Sequence, residues 1–193
     1  MSADAAVTED AFLDGRLTLQ QPLEGYRAGL DAVLLAAAVR LGKGAALELG
    51  CGAGAALLSA ALANPGARFV GLEREPQAAS LARANTAANA LEDRVQVVEG
   101  DVLFHNHADP FDLIFTNPPF YEDAAALRPP PESKRAAFMA ETPLADWLAA
   151  GLKALRPRGR LILIHRAERL GDILTALAGK AGEHESDWKR AGV

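Results

Sequence analysis

The chain has a single cysteine, Cys51, which is too few for an intramolecular disulfide or a cysteine-cluster metal site. It has no apolar run long enough to cross a bilayer: "AVLLAAAV" (32–39) is short and lies between Asp31 and Arg40. It has no basic start followed by an apolar stretch. The opening "MSADAAVTED" is acidic and small, so no signal peptide is expected. It has no internal repeat and no low-complexity tract. It also has no excess of positive charge. Lys and Arg number 20 against 25 Asp and Glu, a formal net charge of -5. That balance argues against broad reliance on phosphate-backbone contact but allows local basic patches. Arg128, Lys134 and Arg135 form one such group, and Arg156, Arg158 and Arg160 another. Together these features lead us to expect a cytoplasmic protein with no membrane association and no metal.

What is present is an apolar half. Of 193 residues, 50% are hydrophobic, enough for one sizeable core. Residues 1–11 read as a frayed start, and 12–29 as a turn-rich stretch that can hold a small hairpin. Residues 31–40 read as an alanine- and leucine-rich helix. From there strands and helices alternate. Strands are expected at "GAALELG", "RFVGLE", "RVQVVEGD", "FDLIFTN" and "LILIHR". Helices are expected at "GAALLSAALA", 76–89, "PLADWLAAGLKAL" and 167–177, with Pro76 at a favoured first-turn position. Unbroken apolar strands alternating with helices predict an α/β fold: a parallel, Rossmann-like sheet with helices on both faces. The connection 121–137, with three prolines, is the longest irregular one, and loops of that length are often active-site lids or disordered segments.

"ELGCGAG" (48–54) joins the first of these strands to a helix. Gly50, Gly52 and Gly54 allow a sharp turn and close approach of a ligand to the backbone. The helix start offers unpaired N–H groups. Glu73 follows about 20 residues on, at the end of the next strand, where a carboxylate can accept from both ribose hydroxyls. Gly100 and Asp101 end the third. The spacing is not that of a dinucleotide fingerprint. The acidic Glu48 is unsuited to a pyrophosphate and better suited to a cofactor bearing a positive charge or an ammonium. S-adenosyl-L-methionine has both. The plain structural alternative is a tight turn and nothing more.

On these residues the chain resembles the class I S-adenosylmethionine-dependent methyltransferases over nearly all of 45–178. The resemblance implies that Glu48 to Gly54 hold the methionine end, that Glu73 holds the ribose, and that Asp101 and Val102 flank the adenine. Cys51 is expected to be a small buried filler.

"FTNPPFY" (115–121) follows the fourth strand of this series. In an open parallel sheet that is the edge where ligands sit. Asn117 offers a side-chain carbonyl and Pro118 a backbone carbonyl. Pro119 stiffens the turn, and Phe120 or Tyr121 gives a flat face. Two converging acceptors and a ring suit a planar amine. The structural alternative is a rigid strand exit. Asn117, Pro118, Pro119 and Phe120 resemble the Asn-Pro-Pro-aromatic signature of amino-methyltransferases, which does not by itself separate adenine, cytosine and glutamine amide. Enzymes acting on release-factor glutamine typically end the motif in tyrosine, so Phe120 leans toward a nucleobase.

The stretch 15–39, with "NPPFY", "TPLADWL" and "RPRGRLILIHRAERL", resembles the bacterial family that methylates the exocyclic amine of an adenine in the anticodon loop of a valine tRNA. This implies an RNA partner. It also makes Gln21, Tyr26, Arg27 and Asp31 lining residues of the cofactor pocket, together with Asn117. The domain plan is then a capping segment 1–30, a methyltransferase domain 31–180 and a polar tail 181–193, with monomer and homodimer both open. Tyr26 packing on the sheet, and Arg27 pairing with an acidic neighbour, are the structural alternatives. Other readings of the whole chain are a protein-glutamine or small-substrate methyltransferase, an inactive scaffold and a dinucleotide oxidoreductase.

His105 and His107 in "HNH" are expected in a solvated loop, His165 as an ordinary satisfied histidine, and Trp147 as core. The family's full sheet has seven strands, the last two a hairpin. Only "GEHESDWKRAGV" follows the last helix here, so that closing hairpin is not expected and the fifth strand of the series should be an exposed edge.

Overall fold

The computed structural model describes residues 7–23, 27–119 and 143–180. Two strands come first, β1 (Val7–Phe12) and β2 (Leu17–Pro22), paired antiparallel with Val7 opposite Pro22 and Phe12 opposite Leu17. Helix α1 (Leu30–Ala38) follows. Then come β3 (Gly44–Leu49), α2 (Ala55–Ala63), β4 (Ala67–Glu73), α3 (Pro76–Ala88), β5 (Val95–Glu99) and β6 (Phe111–Thr116). The described chain ends with α4 (Leu144–Ala154), β7 (Leu155–Leu163), a 3-10 turn (Ala167–Arg169) and α5 (Leu170–Leu177).

Strands β3 to β7 make one parallel sheet in the order β5-β4-β3-β6-β7. The order reverses at β3, between β4 and β6. That is the switch point where an open α/β sheet leaves a crevice at its carboxyl edge. The centre of the sheet is apolar on both faces, as in a sheet covered by helices. Leu47, Leu113, Ile114 and Phe115 are wholly buried. Each such side chain contributes about 1.5–3 kcal/mol by leaving water. One face packs on α1 and α2 with the hairpin's Leu17 and Leu19. The other packs against α4, whose Gly151 faces Leu49 and Ile114 of the sheet, while its Leu144 and Leu148, one turn apart, meet Ile173 and Leu177 of α5.

Helix α2 begins at Gly54 in the left-handed region, and α3 begins with Pro76, whose missing N–H costs nothing there. The buried Asn64 closes α2. It donates to the carbonyls of Ala60 and Val39 and accepts from the Leu41 N–H, tying the α1–β3 connection to the helix end.

Three expectations change. The frayed start reaches residue 11 on sequence grounds, yet β1 begins at Val7; its alternating half-exposed pattern is polar because only one face meets the protein. The last parallel strand begins at Leu155, not after the Arg-Pro-Arg-Gly-Arg turn. That turn is absorbed as a register shift, Phe111 facing Leu155 and Leu113 facing Arg160. Pro157 is tolerated because β7 is an edge strand among the described residues. His105 and His107 are half-buried, not solvated. Their rings meet edge-on at 4.6 Å, and His107 rests on Phe111 at 5.0 Å. Burial, then the nearby His105, lowers the His107 pKa.

Candidate functional site

The glycine loop is shaped by backbone bonds to the next strand. Gly50 N–H and Cys51 N–H both donate to the Leu72 carbonyl, at 2.8 and 3.1 Å, so the chain must turn sharply as it leaves β3. Gly50 and Gly52 accordingly have φ of 70° and 54°, which disfavour other residues. They differ in surroundings. A methyl on Gly50 would lie 3.0 Å from Cζ2 of Trp147, whereas one on Gly52 would meet nothing within 4 Å. The loop thus packs on the protein at Gly50 and opens to the crevice at Gly52.

Two carboxylates approach this loop from the strand ends. Glu73, closing β4, accepts from Gly52 N–H and from Glu75 N–H, each at 2.8 Å. Glu48 lies one residue before the end of β3, only 3% exposed, and its Oε2 has no hydrogen-bond partner. Burial pushes its carboxyl well above the usual range, and the charge of Glu73 adds to the shift; the Leu57 N–H acts against both. A buried oxygen without a partner is costly. Its presence under a loop open to the crevice fits a cationic ligand group, such as the ammonium of a methionine moiety. Cys51 is buried, its thiol pKa raised by that burial and by the same carboxylates. It is packing, as expected.

Asp101 follows β5. Its Oδ1 accepts from Leu103 N–H at 2.8 Å, and Arg74 approaches Oδ2 at 3.9 Å. Val102 is buried beside Leu49 and Leu72. A groove of about 380 Å³ starts at Leu49 and Val102 and runs between the 102–110 connection and α4, past His105, His107, Asp146 and Lys153.

On the other side of the switch point, Thr116 pairs with Leu49 in the β3–β6 register, so Gly50 and Asn117 leave the sheet side by side. Asn117 is half-buried, Pro118 buried and Pro119 exposed. Thr116 is wholly buried; its hydroxyl donates to the Leu49 carbonyl at 2.9 Å and accepts from the Trp147 indole N–H at 3.0 Å. Trp147 is therefore more than core filling. It spans from β6 to Gly50, fixing the two strand exits relative to each other. An indole on a mostly apolar helix gave no sequence signal for this.

The remaining predicted residues divide. Gln21 is 4% exposed; it donates to Asp10 at 3.0 Å and accepts from Ala28 N–H at 2.8 Å. Arg27 donates to Asp10 at 2.6 Å, to Thr8 and to the Pro22 carbonyl. Hydrogen bonding from Thr8 first, then from Gln21 and Arg27, holds Asp10 below its usual pKa. Both predicted residues thus brace the hairpin against the approach to α1, the acidic-neighbour alternative for Arg27. Asp31 is exposed in the first turn of α1. His165 is half-buried and its Nδ1 accepts from Arg166 N–H. Tyr26, Phe120, Tyr121, Arg128, Lys134, Arg135 and the polar tail lie outside the described residues. Among the described residues no group of side chains could hold a metal ion, and no helix is long and apolar enough to cross a membrane.

Comparison with known proteins agrees with this architecture. Residues 31–185 match the family model described as "Methyltransferase small domain". The tRNA1(Val) (adenine(37)-N6)-methyltransferase of Porphyromonas gingivalis is 35% identical over 175 residues, covering 85% of this chain and 68% of the relative. The enzyme of the same name from Yersinia enterocolitica is 39% identical over 106 residues, 53% of this chain and 42% of its own. Among solved structures, the 16S rRNA N2 G1207 methyltransferase of T. thermophilus, in complex with AdoMet and guanosine, superposes with a TM-score of 0.63 at 24% identity. It covers 84% of this chain and 42% of that one. A predicted O-methyltransferase from Agrobacterium tumefaciens gives 0.60 at 25% identity, covering 77% and 67%. A switch-point crevice of this build, a family match over most of the length and a relative aligned across two thirds of its own chain together place the protein in the methyltransferase small-domain family, as a methyltransferase of the class I fold.

Proposed function

We propose that this protein is an S-adenosyl-L-methionine-dependent N-methyltransferase acting on the exocyclic amine of an adenine in tRNA, the adenine 37 named for its relatives. The observation that carries the reading is the side-by-side exit of Gly50 and Asn117 from β3 and β6. It sets an amine-gripping motif against a loop built for a cationic nucleoside. Glu48 holds the ammonium, Gly50, Gly52 and Gly54 shape the loop, Glu73 faces the ribose, and Asp101 with Val102 borders the adenine. Gln21, Arg27 and Asp31 shape the capping side, the first two through Asp10. Bound S-adenosylmethionine supplies an electrophilic methyl group and leaves as its thioether.

The chain's own part is placement. The exocyclic nitrogen of adenine is a poor nucleophile because its lone pair is delocalised into the ring. Acceptors at the Asn117 side chain and the Pro118 carbonyl take its two hydrogens and favour a pyramidal nitrogen with the lone pair out of plane. As nitrogen gains positive character those dipoles bind it more strongly, which is differential stabilisation of the transition state. One proton is then lost to solvent. Phe120 offers a stacking face for the base. Arg128, Lys134 and Arg135 meet RNA phosphates. An enzyme with this substrate works in the cytoplasm beside its tRNA.

The test is transfer of labelled methyl to total tRNA from a strain lacking the modification, followed by nucleoside analysis. N6-methyladenosine is the expected product. Asn117→Ala should lower the rate about 100-fold or more, the usual cost of one preorganised polar contact, with cofactor affinity nearly intact. Label in protein glutamine would replace the substrate assignment. An Asn117→Ala enzyme as fast as the parent would remove the mechanism.

A further inference from the structure

Asn85 of helix α3 and Asn89, the residue that caps its end, present two carboxamides one turn apart toward the outer edge of β2. Asn85 Oδ1 accepts from Gln20 N–H at 2.7 Å, and its Nδ2 donates to the Gln20 carbonyl at 2.9 Å. Asn89 treats Thr18 the same way, accepting from its N–H at 3.0 Å and donating to its carbonyl at 2.8 Å. Each side chain thus satisfies the donor and the acceptor of one β2 residue, as a neighbouring strand would. The intervening Leu19 points into the core, and β1 takes the other edge.

Asn85 does more. It is 0% exposed, and its second amide hydrogen goes to the Ala53 carbonyl, also at 2.9 Å. Ala53 stands between Gly52 and Gly54 in the cofactor loop. One fully buried carboxamide therefore grips the hairpin and the loop at once, with both amide hydrogens and its oxygen engaged. Displacing either partner strands a buried polar group, which is costly. The hairpin in turn braces the approach to α1, because Gln21, the next residue of β2, accepts from Ala28 N–H.

We infer that Asn85 is a positioning residue that couples docking of the N-terminal hairpin to the ligand-ready shape of the glycine loop. Ligand on the loop tightens the hairpin, and a loosened hairpin weakens the ligand. Linkage makes the factor equal in both directions. The inference rests on the reading that this loop binds the S-adenosyl cofactor, so the probe is S-adenosylhomocysteine.

Amide hydrogen exchange of the full chain, with and without this probe, reads the coupling directly. The amides of Thr18 and Gln20, which face α3, should slow by about 5-fold or more on saturation, the lower end of usual couplings. In Asn85→Ala that ligand-dependent slowing should vanish and the probe should bind about 10-fold more weakly. Asn89→Ala leaves the bond to Ala53 in place. It should loosen the hairpin and weaken binding by a smaller factor, and it keeps the test open should Asn85→Ala not fold. A parent that binds the probe with no change at Thr18 and Gln20 would overturn the inference. So would an Asn89→Ala variant with a loosened hairpin and parental affinity. A parent that does not bind the probe would overturn the cofactor reading first, and this inference with it.

Discussion

Replacing Glu48 by Gln tests the electrostatics beneath the glycine loop. The carboxyl is fully buried, one oxygen has no partner, and Glu73 lies near enough to oppose its ionisation. Its folded pKa therefore stands above the unfolded value of about 4.3. For a raised carboxyl the sign is fixed. The folded state holds its proton while the unfolded chain releases it, so the stability the protonated group contributes is whole below about pH 4.3 and is lost as pH rises toward the folded pKa. Each pH unit in that window costs about 1.4 kcal/mol, or about 3–5 °C in melting temperature for a chain of this size. Glutamine does not titrate. The melting temperature of Glu48→Gln relative to the parent should therefore climb with pH through the window and then level off. Thermal melts from pH 4 to 9 without ligand measure it. A cationic ligand reverses the advantage, because its ammonium favours the ionised carboxylate. The parent should release protons on binding S-adenosylhomocysteine, giving calorimetric enthalpies that depend on the buffer, while Glu48→Gln should bind more weakly and release fewer. Parallel melting curves for the two proteins, with buffer-independent enthalpies in the parent, would show that Glu48 ionises normally and refute the reasoning.

Three further outcomes are expected. Gly50→Ala, which forces a side chain into φ 70° against Trp147, should cost about 2–3 kcal/mol in urea unfolding, and Trp147→Phe in the same chain should recover part of it. Glu73→Ala removes the acceptor of Gly52 N–H and Glu75 N–H; it should leave the fold intact and weaken S-adenosylhomocysteine at least about 10-fold by titration calorimetry, since hydrogen bonds to a charged group are each worth about 1.5–3 kcal/mol. Charge reversal at Arg128, Lys134 and Arg135 should weaken tRNA binding and flatten its salt dependence, with unchanged filter-binding curves as the contrary result.

The parallel sheet was legible because β3, β4 and β6 carry short, largely buried apolar runs at 45–47, 69–72 and 113–115 and then lead into glycine or polar residues. The glycine loop was legible for the same reason that it folds: the positive φ of Gly50, Gly52 and Gly54 favours glycine. What stayed hidden was whatever depends on partners distant in sequence. β1 is a strand because β2 pairs with it, and "VTEDAF" carries little hydrophobic pattern of its own. Asn85 and Asn89 read as ordinary polar positions of a helix, since nothing local says that a strand will lie across them. Gln21 and Arg27 were expected to line the cofactor pocket. Their visible bonds, however, run to Asp10, a residue in a stretch that looked frayed.

The contacts that seat the hairpin bridge 65 and 71 residues of chain. During synthesis the first strand pair emerges long before the helix that closes its outer edge. At about 5–20 residues per second, roughly 4–14 seconds separate Thr18 from Asn89 at the point of synthesis. Through that interval the Thr18 and Gln20 backbone groups stand open, with the leucines of β2 not yet covered. A two-stranded hairpin is barely stable alone in water. The hairpin is thus made well before α3 and finished only with it, and until then its open strand edge is a ready template for pairing with another chain.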